Sequence, residues 1–140
     1  MRAPPDIAPL VAIESQSMNL WLAIGLGGAL GSMARHAVNV LVARRLTEAV
    51  GVSTAVVNLI GCIVIGALTG LIVGGHLRLG LAARSFVFVG VLGGFTTFST
   101  FGLDTFTMIQ EGRTTAALAN VLVQVVGGVA GLWLGVRAFH

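Results

Sequence analysis

An all-α integral membrane protein is the fold this sequence predicts: four transmembrane helices per subunit, a broken third helix, and an antiparallel dual-topology homodimer as the assembly. Three observations carry that prediction. The chain is 56% hydrophobic and only 9% charged, with mean hydropathy +0.97, where a soluble domain carries roughly 25% charged residues. Four apolar runs, each near the roughly 20 residues a bilayer requires, follow one another with short polar connections. The arginines, finally, are spread almost evenly over the two sides that those runs would define.

Residues Met1 to Ser17 hold three prolines together with Asp6 and Glu14 and show no strong period, which reads as an N-terminal tail (1–17) ahead of a four-helix domain (18–140). A signal peptide is not expected, because the first long apolar run starts only near Leu20 and no cleavage-like site follows it. Met18 stands directly before that run and is a candidate start codon. The first span then runs from about Leu20 to Val42, interrupted by Arg35 and His36. The second is Thr54 to Val73, the third Ser85 to about Met108, and the fourth Thr115 to about Val136. The first connection carries Arg44, Arg45 and Glu48, the second His76 and Arg78, and the third Glu111 to Arg113. No stretch is left for a soluble domain.

Glycines recur every fourth residue in each span: Gly27/Gly31, Gly66/Gly70/Gly74, Gly90/Gly94 and Gly127/Gly131/Gly135. In lipid, helices associate through close backbone approach, which such ridges allow. Four thin helices enclose little space by themselves, so a tight bundle of this kind points to oligomerisation. With an even number of spans, Arg2, Arg78, Arg84 and Arg137 fall on one side. Arg44, Arg45 and Arg113 fall on the other, with Arg35 leaning that way. Orientation follows the bias of basic residues between sides. A chain with almost none can insert both ways up, hence the antiparallel dimer. The formal charge of +3 comes from dispersed arginines without a basic patch, which argues against nucleic acid as a partner. The single cysteine, Cys62, rules out an intrachain disulfide or a thiolate cluster.

The stretch Gly93-Gly94-Phe95-Thr96-Thr97-Phe98-Ser99-Thr100-Phe101 is unlike the rest of its span. Paired glycines and a β-branched Thr-Thr pair are poor helix interior, and an unwound bend over Gly93 to Thr96 is expected. Non-helical backbone at bilayer depth is tolerated only inside protein or along a polar cavity, and transporters use such breaks to aim freed backbone groups at ions. Carbonyls from two copies of the break, meeting on a twofold axis, would form an all-oxygen site for a hard cation. With no carboxylate near the break, a monovalent ion suits it better than a divalent one.

Phe98 and Phe101, three residues apart, share one face of the half-helix after the break. A Phe pair at this spacing is ordinarily core packing. Here Thr96, Thr97, Ser99 and Thr100 supply hydroxyls along the same element, and ring edges carry the positive part of the aromatic quadrupole, so an anion could be held edge-on. Asn58, one turn into the second span, is either interhelical glue or an NH₂ donor facing an anion pathway. Arg35, with Asp104 as a possible partner, marks either function or a packing pair; His36 reads as structural. Asn120 and Gln124, one turn apart in the fourth span, either continue a polar track or bind a neighbouring helix.

These residues resemble the Fluc (CrcB) family of fluoride channels, over essentially the whole chain from Leu20. The likeness lies in Gly27-Gly28-Ala29-Leu30-Gly31-Ser32-Met33-Ala34-Arg35, in Thr54-Ala55-Val56-Val57-Asn58-Leu59-Ile60-Gly61-Cys62, and above all in the Gly93 to Phe101 stretch. The resemblance implies four-span subunits in an antiparallel dimer with two fluoride pathways, exporting fluoride passively across the plasma membrane. It implies a central structural Na⁺ held by the carbonyls of Gly93 and Thr96. It also implies that Phe98 and Phe101 are the aromatic rings of the pathway, with Ser99 and Thr100 beside them and Asn58 as the pore-lining amide. This chain departs from the family where members commonly carry hydroxyl residues along the fourth helix, since it has Asn120, Gln124 and Gly127-Gly128 there. No paired carboxylates, Ser/His/Asp set or phosphate loop suggests an enzyme. A small multidrug-type dual-topology transporter would need a membrane-embedded carboxylate, and Asp104 is the only one in the first three spans. A non-transporting subunit of a larger complex would give no flux alone.

Overall fold

The computed structural model describes residues 8–45 and 50–140, with side chains from Met18 onward; Arg2, Asp6 and Glu48 lie outside what it describes, as does the side chain of Glu14. All regular structure among the described residues is helical. α1 covers Ala8–Arg45 and α2 covers Val52–Val73. Two further segments come next, α3 over Leu81–Gln110 and α4 over Thr114–Phe139. α2, α3 and α4 are each long and apolar enough to cross a membrane. α1 begins at Ala8, so residues 8–17, read from the sequence as tail, continue its first helix.

Two pairs of segments make the bundle. α1 lies along the first half of α3, and α2 lies along the second half of α4. The glycine ridges are what bring each pair together. A Cβ on Gly90 would sit 2.8 Å from the Cα of Gly27, and one on Gly135 would sit 2.7 Å from the backbone nitrogen of Ala67. No larger residue fits either crossing without moving a backbone. The sequence reading of the four-residue glycine spacing is therefore realised as backbone-to-backbone packing, the means by which helices associate in lipid.

Few of the described residues are buried: Val57, Leu92, Phe101, Met108 and Ala117 form the apolar core. Large side chains such as Trp21, Leu103, Val129 and Trp133 are exposed along the helices, as expected where lipid replaces water.

α3 is the irregular segment. Its first turns, Leu81–Arg84, pass into a π-helix over Ser85–Leu92 and then a single α-turn over Gly93–Phe95. Thr96 and Thr97 are extended, at φ −82°, ψ 159° and φ −153°, ψ 114°. Helix resumes at Phe98 and runs to Gln110. The break therefore falls on the two threonines, not over Gly93 to Thr96. Both glycines are helical, and Gly94 is held in the close crossing with α1, against Gly28. Thr96 ends the helix, its N–H and its hydroxyl both donating to the Leu92 carbonyl (3.0 and 2.9 Å). Such side-chain competition for a backbone acceptor weakens continuation of a helix.

Candidate functional site

At the break, α2 supplies one side chain that replaces the missing helix bonding. The Thr97 N–H donates to Asn58 Oδ1 at 2.8 Å, and Asn58 Nδ2 donates to the Thr97 carbonyl at 3.1 Å. Gly61, one turn along α2 from Asn58, faces the Thr96 methyl and leaves room for it. Within the new helix, the Thr97 hydroxyl accepts from the Thr100 N–H at 3.3 Å as an N-cap. It also lies 3.2 Å from Ser99 Oγ and 3.1 Å from Thr100 Oγ1.

These two diversions explain what happens to the predicted cation ligands. In a continuous helix the N–H of residue i+4 bonds the carbonyl of residue i. The Thr97 N–H, which would serve Gly93, goes to Asn58 instead. The Thr100 N–H, which would serve Thr96, goes to the Thr97 hydroxyl. The carbonyls of Gly93 and Thr96 thus each lose their helical donor, and Gly93 is exposed on the surface of the chain.

Beside the break lies a groove of about 440 Å³, lined among others by Asn58, Gly93, Thr96, Phe98, Phe101 and Gln124. The two rings in it are 5.3 Å apart between centroids and tilted by 51°, within the range of favourable aromatic pairs. Phe101 is 9% exposed and Phe98 is 80% exposed. One ring belongs to the core and the other is exposed.

The structure separates the sequence candidates. Asn58, Phe98 and Phe101 come together on the groove, and Gly93 and Thr96 line it as well. Ser99 and Thr100 are not among its lining residues; the helical turn carries them round to the Thr97 hydroxyl. Asn58 is more glue than free donor, because its second proton goes to Gln124 Oε1 (2.6 Å). Arg35 and Asp104 do not pair. Asp104 accepts from the buried Thr54 hydroxyl at 2.6 Å, and the one ion pair among the described residues joins Arg113 and Glu111. Arg35 is partly exposed on α1.

Two site residues were not legible as such. Thr97 read as one hydroxyl among four, yet it both ends the break and caps the helix beyond it. Gln124 read as either track or glue. It is buried, it joins Asn58 to Asn120, and Asn120 in turn donates to Thr105 (2.9 Å). Its place in a π-turn over Val123–Gly127 was not visible in residue spacing; such turns recur at functional positions.

Known proteins resemble this chain over nearly its whole described length. Residues 22–136 match the family model described as CrcB-like protein, Camphor Resistance (CrcB). Among curated proteins it is 43% identical over 119 residues to a protein of Opitutus terrae, covering 84% of this chain and 90% of that one. It is 45% identical over 115 residues to one of Paracoccus denitrificans (82% and 90%), and 40% identical over 119 residues to one of Chloroflexus aurantiacus (85% and 94%). Each of the three is named fluoride-specific ion channel FluC. Such relatives are channels and not enzymes, and with three bilayer-length helices the chain is a multi-pass membrane protein, in bacteria one of the plasma membrane. Interrupted helix, glycine-packed pairs and matched sequence lead to one assignment: the chain belongs to the CrcB-like family.

Proposed function

We propose that this protein is a passive, fluoride-selective channel that carries fluoride out of the cytoplasm, and that its working form is an antiparallel dual-topology homodimer of four-span subunits. α1 supplies the fourth span, with residues 20–42 inside the bilayer. The observation that carries the reading is the Phe98–Phe101 pair beside a broken helix. Phe98 is 80% exposed in a single subunit, and Gly93, whose carbonyl lacks its helical donor, is exposed and lines the same groove. Bare backbone at membrane depth needs protein or a polar cavity against it, which a second copy would provide. Two tilted rings offer an anion their positive edges without the tight hold of a cationic side chain. The Phe98–Gln110 helix also begins here, so its positive dipole end faces the same region.

The chemistry of the break fits a monovalent hard cation as well. Gly93 and Thr96 each offer a carbonyl that has lost its helical donor, and all-oxygen sites suit such ions. Two carbonyls per subunit, doubled by a twofold, would hold a structural Na⁺. When bound, that ion would supply positive charge at the centre of the assembly. The multidrug-type alternative needs a free membrane carboxylate, and Asp104 is already engaged by Thr54.

Fluoride efflux from liposomes holding the purified protein tests the reading, run beside chloride and a quaternary-ammonium drug. Fluoride should leave rapidly and chloride far more slowly, with no drug transport. Liposomes that retain fluoride would refute it.

A further inference from the structure

One set of hydrogen bonds around the groove runs in a single direction. The Thr97 N–H donates to Asn58, Asn58 Nδ2 to Gln124 Oε1, and Gln124 Nε2 to Asn120 Oδ1 at 2.8 Å. Asn120 Nδ2 then donates to Thr105 Oγ1, and the Thr105 hydroxyl to the Phe101 carbonyl at 2.7 Å. The run starts on a backbone N–H and ends on a backbone carbonyl. Neither can exchange donor for acceptor. An amide that flipped in between would set N–H against N–H on one side and oxygen against oxygen on the other. Buried polar groups in that state cost free energy comparable to lost hydrogen bonds, and linked bonds reinforce one another.

We infer that Gln124, backed by Asn120, is a positioning residue: it turns the Asn58 amide onto the break and keeps its protons out of the groove. Asn58 has two amide protons. One goes to the Thr97 carbonyl and the other to Gln124. A Ser or Thr at position 124 would not span the distance that the Gln side chain does, and would leave the second proton to face the groove. The fourth-segment amides therefore set the number of donors an anion meets beside Phe98 and Phe101. This consequence rests on the channel reading, whereas the orientation of Asn58 does not.

The test is made on the full chain, ¹⁵N-labelled and in lipid nanodiscs, by amide hydrogen exchange and by the side-chain amide resonances of Asn58. Gln124→Met keeps the length and removes the hydrogen bonding. Asn120→Leu removes the support behind Gln124 without touching Asn58. In Gln124→Met the Thr97 amide should exchange about tenfold faster, as expected from weakening one buried hydrogen bond. The Asn58 resonance should shift as well. In Asn120→Leu both signals should move the same way by less. An unmoved Asn58 resonance in Asn120→Leu overturns the inference, and so does faster exchange spread evenly over the α2–α4 crossing. If Gln124→Met does not assemble, Asn120→Leu alone decides. Fluoride efflux from liposomes holding the same proteins separates the two claims. Shifted resonances without efflux from the unaltered chain leave Asn58 positioned and remove the channel reading, while efflux with silent resonances does the reverse.

Discussion

Asn58 and Thr97 face each other across α2 and α3 as two complementary donor–acceptor pairs, 2.8 and 3.1 Å long. The amide side chain stands where the next turn of helix would have been. It satisfies a backbone N–H and a backbone carbonyl that bilayer hydrocarbon could not satisfy. A broken helix can persist in a membrane for that reason, and the expected effects of mutation derive from it.

Asn58→Leu should destabilise the folded subunit as well as stop conduction. It leaves the Thr97 N–H, the Thr97 carbonyl and Gln124 Oε1 without partners, at about 1–3 kcal/mol for each group left buried. Asn58→Asp keeps the acceptor but sets a carboxylate against two oxygens, so it should lose both fluoride efflux and thermal stability. An Asp variant with unaltered melting would show that the amide does not hold the break.

The two phenylalanines should part company. Phe101 is in the subunit core, whereas Phe98 is 80% exposed. Phe101→Ile should lower stability by about 1–2 kcal/mol through imperfect repacking of a buried site and reduce fluoride flux. Phe98→Ile should reduce flux with little change in the melting of a detergent-solubilised subunit. Efflux assays paired with thermal unfolding check both; equal melting losses in the two variants would contradict the burial difference.

Thr54→Val removes the hydroxyl that Asp104 accepts from at 2.6 Å and leaves a partly buried carboxylate without that donor. Hydrogen bonds to charged groups contribute roughly 1.5–3 kcal/mol, so a loss of that size is expected. The double variant Thr54→Val with Asp104→Leu should recover most of it, because no charge is then left behind. A double-mutant cycle measures the coupling.

Gly135→Ala should disturb the α2–α4 crossing, where the added Cβ would meet the Ala67 nitrogen at 2.7 Å. Forcing atoms into a packed contact typically costs about 1–3 kcal/mol. Gly112→Ala, in the connection after α3, meets no atom within 4 Å, but its φ of +71° strains any residue with a side chain. It should cost about 1 kcal/mol. Thermal unfolding of both should rank Gly135→Ala as the worse.

Replacing Na⁺ by a bulky organic cation should weaken the dimer if the carbonyls of Gly93 and Thr96 hold a shared ion. Sedimentation in the two salts at equal ionic strength is the measurement. Unchanged association after exhaustive exchange would count against a shared cation.

Composition and period were enough to place the three segments long and apolar enough to cross a membrane. A run of about twenty apolar residues has one stable form in hydrocarbon, because every backbone group must be bonded within it. Glycine spacing likewise announced the crossings, since only small residues let two backbones meet. The anomaly at Gly93 to Phe101 was legible as a break for the same local reasons. Its position was not. Gly93 and Gly94 stay helical, with α1 packed on Gly94, and the chain opens at Thr96 and Thr97, where Asn58 of α2 can take over the bonding. Which hydroxyls face the groove, whether Asn58 offers its protons there, and what Asp104 pairs with each depend on helices distant in sequence. Spacing along a single helix says which residues share a face. It takes the neighbouring helices to decide what that face meets.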